Sequence, residues 1–340
     1  MTQAALDPAA GRTGVAPADL EAQLEEYRTE LTGYAYRMLG STFDAEDAVQ
    51  ETLVRAWKAI DRFERRAALR SWLYRIATNV CLDMLNGRKR RARPMDLGPA
   101  SAAEATLGAP LGENAWVEPV PDAVVVPSGG NPEEQAIARE SIRLAFVAAL
   151  QRLPPKQRAV LILREVLRWQ ATEVAELLDT SVASVNSALQ RARATLDAAK
   201  DEPGHADTEV QPLSADDQAL LARYLEAFER YDMDSLTSLL REDATWNMPP
   251  YELWLQTHDD IVKWCLGPGI GCQGSRVIPT MAANGSPAFG QYKPRENGDG
   301  FEPWALQVLE IEDGKVVEFT FFLDTERVFP LFGLPLEYPG

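Results

Sequence analysis

Apolar residues recur every three to four positions along residues 20–39 and again from Asp44 to Arg62, where Val49, Leu53, Trp57 and Ile60 form one stripe. That period predicts two amphipathic helices. Asp44, with Asp47 three residues on, has the chemistry of an N-cap for the second. A third helical run places Leu69, Leu73, Ile76, Ala77, Val80 and Met84 on one face and Arg75 and Asn79 on the other, then ends in Arg88, Lys89, Arg90 and Arg91. Residues 20–93 therefore predict a compact all-helical domain with one basic side. From Pro94 to Pro132 neither a helical nor a strand period is present, and Ala, Gly, Pro and acids dominate. This reads as a linker, 94–132, long enough to join domains held far apart.

Helical period returns near Glu133 and continues to Leu196, with a break at Pro154-Pro155, giving a second helical domain over 133–200. A polar spacer with Pro and Gly, 201–213, precedes a third unit over 214–340. It opens with helical runs from Asp216 to Tyr231 and from Met233 to Leu240. Strand-like segments follow Gly274, the sharpest being a hairpin turning at Asp313-Gly314. Val317, Phe319, Phe321 and Leu323 alternate there with polar neighbours, as in a half-buried strand. Helices followed by an antiparallel sheet predict an α+β domain.

The net charge of −17 argues against a nucleic-acid partner until it is divided along the chain. Between Arg55 and Arg93 there are 12 Lys and Arg against 3 Asp and Glu, a balance of +9. From Ser141 to Lys200 the count is 9 against 5, or +4, and from Asp201 to Gly340 it is 9 against 25, or −16. Such asymmetry predicts separate modules with separate partners. No apolar run reaches the ~20 residues that span a bilayer, so no membrane partner is expected. Residues 1–19 lack a basic start followed by an apolar core and read as a flexible leader of a cytoplasmic protein. Cys81, Cys265 and Cys272 are far apart and have no histidine cluster beside them, whereas a zinc site takes about four ligands. No metal and no cofactor is expected.

The clearest chemical device is a helix-turn-helix: Glu173 to Leu178, a turn at Asp179-Thr180, and a second helix capped by Ser181. Val174, Ala175, Leu178 and Val185 fall where the helices must pack. Ser184, Asn186, Ser187, Gln190, Arg191 and Arg193 are left outward, a polar and basic face suited to the major groove and to phosphates. An ordinary helical hairpin with a solvated face is the competing reading.

Four stretches together resemble sigma-70 family RNA polymerase sigma factors of the extracytoplasmic-function type. DAEDAVQETLVRAW (Asp44 to Trp57) is similar to the family's segment that binds the polymerase clamp. LPPKQRAVLILREVLRWQATEVAELL (Leu153 to Leu178) and SVASVNSALQRAR (Ser181 to Arg193) are similar to its second, −35-binding region. Within the latter, Asn186 stands where lysine is frequent, Ala188 where arginine is frequent and Asp179 where glycine is usual. The helix from Trp72 to Met84 resembles the segment that opens promoter DNA at the −10 element.

The resemblance implies contacts to core polymerase (β′ clamp and β flap) through Asp44, Glu46, Asp47, Gln50, Glu51, Arg55 and Trp57. The bland alternative for that helix is a solvated face laced with pairs such as Glu51–Arg55. The resemblance also implies promoter DNA contacts through Arg75, Asn79, Arg88, Lys89, Arg90 and Arg91 and through the outward face of the second helix. Trp72 and Tyr74 serve either as core or as faces for unstacked bases.

The third unit resembles the SnoaL-like, cone-shaped α+β domain shared by polyketide cyclases and ketosteroid isomerases, which some actinobacterial sigma factors carry at this place. The resemblance implies a ligand pocket with Trp246, Met248, Tyr251, Trp254 and Trp264 as its walls. Asp243, His258, Asp259 and Asp324 are the residues from which an acid–base site would be drawn. The expectation is a non-enzymatic alternative sigma factor whose acidic C-terminal domain regulates it in cis by intramolecular contact, in place of or beside an anti-sigma protein. An isomerase-like enzyme with a DNA-binding extension and a one-component repressor are the alternatives.

Overall fold

The computed structural model describes residues 22–60, 69–129, 131–198 and 213–338. The expected leader (1–19), the spacer 201–212 and the end of the second predicted helix (61–62) lie outside the described residues. After a helical turn at 22–25, the first unit holds α1 (Arg28–Leu39), α2 (Thr42–Ala59) and α3 (Leu69–Leu85). Every residue of α1 from Leu31 to Leu39 is buried, because α2, α3 and later parts of the chain cover it on all sides. Gly40 ends it in the left-handed region (φ 69°), its N–H returning to the Tyr36 carbonyl. The N-cap of α2 is Ser41 rather than Asp44: Ser41 Oγ accepts from Asp44 N, which puts Asp44 in the first turn. Val49 and Leu53 point inward as their spacing predicts, but Trp57 is 60 % exposed.

Residues 94–129 are irregular, as expected, yet they do not span open space. They form a strap. Trp116, Val117, Val120 and Val125 are buried, the last in a short helix α4 (Asp122–Val125). The strap's amides reach both neighbours: Glu118 N donates to Gly40 O, Ser101 N to Trp254 O, and Leu111 N to Pro250 O. The next unit holds α5 (Pro132–Glu140), α6 (Leu144–Gln151), α7 (Pro155–Leu161, continued by a π-turn at Ile162–Val166), α8 (Ala171–Leu177) and α9 (Val182–Asp197). Asn131 and Glu134 form a capping box that starts α5.

The last unit begins with α10 (Ala215–Arg230) and α11 (Met233–Leu239). A six-stranded sheet follows, ordered β2-β1-β6-β5-β4-β3. Its strands are β1 (Leu240–Asn247), β2 (Trp254–Gln256), β3 (Arg276–Pro279), β4 (Ala288–Pro294), β5 (Phe301–Glu312) and β6 (Lys315–Phe322). β1 and β6 run parallel and the other pairs antiparallel. Between β2 and β3 lies α12 (His258–Leu266), and α13 (Thr325–Leu331) follows β6. The β5–β6 hairpin turns at Asp313 and Gly314, both at positive φ as a two-residue turn of this kind requires.

Two apolar cores result. One fills the cone between α10, α11, α12 and the inner sheet face, with Tyr224, Phe228, Trp246, Phe289, Phe319 and Phe321 at its centre. The other runs without interruption through α1–α3, the strap, α6–α9, the outer sheet face and α13. The alternation in β6 had predicted one solvated face. Instead Glu318, Thr320 and Phe322 are as buried as Val317, Phe319 and Phe321, because the rest of the chain covers the second face.

Candidate polymerase and nucleic-acid interface

Along α2 the side chains of Glu46, Asp47, Gln50, Glu51, Arg55 and Trp57 are exposed. Glu51 and Arg55 pair at 2.7 Å, the i,i+4 contact their spacing allows. Trp57 and Val54 leave an apolar spot among these charges. Asp44 differs from the other six. Its carboxylate meets Arg88 at 2.9 Å and Arg91 at 2.8 Å and is largely covered. Burial pushes its pKa up, but the hydrogen bonds from both guanidinium groups outweigh this and hold it below the usual carboxylate range.

The arginine cluster is split by the same contact. Arg88, Lys89 and Arg90 are exposed. Arg91 is buried and also donates to the carbonyls of Glu113 and Trp116 in the strap, so in this conformation its guanidinium is not free for DNA. On α3, Asn79 is exposed, while Arg75 donates to the Glu176 carbonyl of α8. Tyr74 is core: its ring lies 5.0 Å from that of Trp169 and 5.1 Å from that of Tyr34, and its hydroxyl donates to Glu30. Trp72 is half-buried against the same core.

The helix-turn-helix has the predicted geometry. Val174, Ala175 and Val185 are buried at the α8–α9 crossing, and Ser181 Oγ caps α9 through Ser184 N. Asp179 holds φ 49°, the left-handed conformation that glycine adopts at least cost. Ser184, Asn186, Ser187, Gln190, Arg191 and Arg193 all face outward. Arg193 reaches Glu165 at 2.6 Å and Arg191 reaches Ser187 Oγ at 2.7 Å.

Comparison with known proteins finds three family models along the chain. The Sigma-70 region 2 model matches residues 24–91, the Sigma-70 region 4 model 143–196, and the SnoaL-like domain model 221–319. The ECF RNA polymerase sigma factor SigG of Mycobacterium tuberculosis is 46 % identical over 333 residues, 97 % of this chain and 86 % of SigG. The chain belongs to the ECF sigma factors. Membership carries the family's function, binding of core RNA polymerase and promoter-directed initiation of transcription. SigJ of the same organism is 28 % identical over 308 residues, 86 % of this chain and 88 % of its own length. The crystal structure of SigJ covers 93 % of this chain and 100 % of its own, with a TM-score of 0.56 and 23 % identity, a likeness of fold.

In this sigma factor the aromatic residues expected to wall a pocket are committed elsewhere. Trp246 stacks on Phe321 at 4.1 Å inside the cone, where Met248 and Trp264 are also core and Tyr251 packs against them. Trp254 and Trp264 donate from Nε1 to the strap carbonyls of Gly98 (3.0 Å) and Ala105 (2.8 Å). Asp243 is exposed and paired with Arg241, and His258 and Asp259 sit together at the start of α12. Asp324 lies 3.5 Å from Arg327, outside the cone core. A buried polar chain does cross the cone, from Tyr224 through Gln307 and Gln291 to Ser275, but each member is hydrogen-bonded to the next.

The contacts between modules were not visible in the sequence. Arg143 pairs with Glu310, and Arg93 lies 3.6 Å from Glu318 while sharing Asp96 with Arg152. Burial pushes the Glu318 carboxyl up, against the pull of Arg93. Buried Arg158 ties the end of α1 to the second helical unit, donating to the Met38 and Leu153 carbonyls. Asn284, in the β3–β4 loop, bonds to Tyr36, Val120 and Ile142 at once. Its positive φ (54°) was the kind of signal an Asn-Gly pair offers, though such a pair says nothing about distant partners.

Proposed function

We propose that this sigma factor is held closed by its own C-terminal domain and must open to engage a promoter. The supporting observation is that the two helical units pack on each other through Arg75, Tyr74 and Trp169 while Asn284 of the C-terminal domain bonds to Tyr36 of one and Ile142 of the other. The −10 and −35 elements are about 25 base pairs apart, or about 85 Å of duplex. Modules in mutual contact cannot occupy both. In the open form, Glu46, Asp47, Gln50, Glu51, Arg55 and Trp57 meet the β′ clamp, and the 133–200 module meets the β flap and the −35 element. Arg75, Asn79, Arg88, Lys89 and Arg90 serve the −10 element. Ser184, Asn186, Ser187, Gln190, Arg191 and Arg193 serve the −35 element. Asp44 and Arg91 act as an internal clamp that positions the basic cluster.

On this reading the units 20–93, 133–200 and 214–340 are joined by the strap 94–132 and the spacer 201–213, the protein works in the cytoplasm, and the 214–340 unit regulates without catalysing. The placement of Asp243, His258 and Asp324 outside the cone core supports that last point. The exposed α2 face stays open to an anti-sigma protein. Run-off transcription with bacterial core polymerase on selected genomic promoter fragments tests the proposal. Asn284→Ala and a chain ending near Asp201 are both expected to initiate more than the full chain. Less initiation by both would overturn cis restraint, and no association of any form with core polymerase would overturn the whole reading.

A further inference from the structure

A cleft of about 380 Å³ opens between α1, the strap and the second helical unit. Its walls are mainly apolar, with Val125 and Pro127 from the strap and Ala138 and Leu167 from beyond it. The charged groups along it are mostly paired. Arg70 is bonded to Glu30 and stacked on Tyr74 and Trp169, Arg168 meets Glu133, and Glu134 completes the α5 capping box.

Arg37 is the exception. The residue is only 3 % exposed, and the acceptors of its guanidinium are Ser141 Oγ and the Ala138 carbonyl, both neutral. No acceptor among the described residues meets Nη1. A buried cation without an anion is costly, and desolvation draws this one down to about 10. Gly33 lets the strap pack against α1 beside this group: a Cβ there would lie 2.5 Å from the Val125 carbonyl oxygen and 2.9 Å from Nη1. Apolar walls with one fixed charge are the usual design of a small-molecule site.

We infer that this cleft binds a small organic carboxylate, with its apolar body against Val125, Pro127, Ala138 and Leu167 and its anionic head on Arg37. Since the walls come from both helical units and the strap, the ligand binds the closed form and stabilises it by mass action. Binding is read without polymerase or DNA, so its failure is distinct from failure of the transcriptional reading.

Calorimetric titration of the full chain with 1-naphthoate and with neutral 1-naphthamide is the test. One naphthoate is expected per chain, at least ~10-fold tighter than the amide, as a charge-assisted bond to arginine implies. Arg37→Gln is expected to abolish that ratio. Leu167→Trp, which fills the cleft and leaves Arg37 intact, is expected to weaken both ligands by at least ~10-fold. No saturable naphthoate binding, equal affinities for acid and amide, or affinities indifferent to Leu167→Trp would each overturn the inference.

Discussion

Asn284 donates its backbone N–H to the Val120 carbonyl and accepts from Val120 N, both at 3.0 Å, and its Nδ2 donates to Tyr36 Oη and the Ile142 carbonyl. One residue of the C-terminal domain thereby touches the first helical unit, the strap and the second helical unit. Removing the side chain leaves several buried groups without partners, at a cost of about 1–3 kcal/mol each where no water replaces it. Asn284→Ala is expected to destabilise the chain by about 2–4 kcal/mol in denaturant unfolding, part of it from an alanine at positive φ. Asn284→Gly keeps the backbone conformation and loses only the bonds, so it is expected to cost less. An Asn284→Gly variant as stable as the parent chain would assign the residue to backbone geometry rather than to bridging.

At the scale of elements, the outer sheet face and the strap carry a pH response. Burial raises the carboxyl pKa of Glu318 on β6, and of Glu118 and Asp122 in the strap. A raised pKa in the fold means that the folded state binds the proton more tightly than the unfolded state. The stability linked to these groups is complete below their unfolded pKa and is lost as pH rises through the folded values. Asp44 and Asp96, whose values are lowered, act in the opposite sense. Glu318→Gln, which keeps the side chain's shape, is expected to flatten the decline of Tm with rising pH above about 4.5. An unchanged profile would show that Glu318 does not govern it.

These elements also mark how far the sequence could be read. The helix-turn-helix and the Asp313-Gly314 hairpin depend on local pattern and turn chemistry, and both stand where expected. The strap could not be found that way, because Trp116, Val117, Val120 and Val125 follow no period. Their burial depends on partners such as Gly40 and Asn284. Asp44 was read as an interface residue on its position in a motif, and only the fold brings Arg88 and Arg91 to it. Trp246, Trp254 and Trp264 have the composition of pocket walls, and that composition is equally that of a core.

For the whole molecule, one apolar core threads all the units, so the opening proposed above would be a single event with a large change in shape. A compact body of this length has a radius of gyration of about 20 Å. Small-angle scattering is expected to give a value near this for the full chain and a larger one for Asn284→Ala, more so in high salt, which screens the exposed Arg327 contact with Glu113 of the strap. An unchanged radius in a variant that transcribes more would place the regulation in a smaller movement than separation of the units.

That shared core also has a consequence in time. Its outer wall is built from Ala283, Leu306, Phe322, Phe329 and Leu334, all of which are synthesised after the helix-turn-helix. At ~5–20 residues per second, the ribosome needs roughly 10–30 s after the helix-turn-helix has emerged to complete that wall. Every newly made copy therefore spends an interval with its helical units uncovered. Under the restraint proposed above, how often a nascent chain meets core polymerase before that wall is complete depends on the speed of translation.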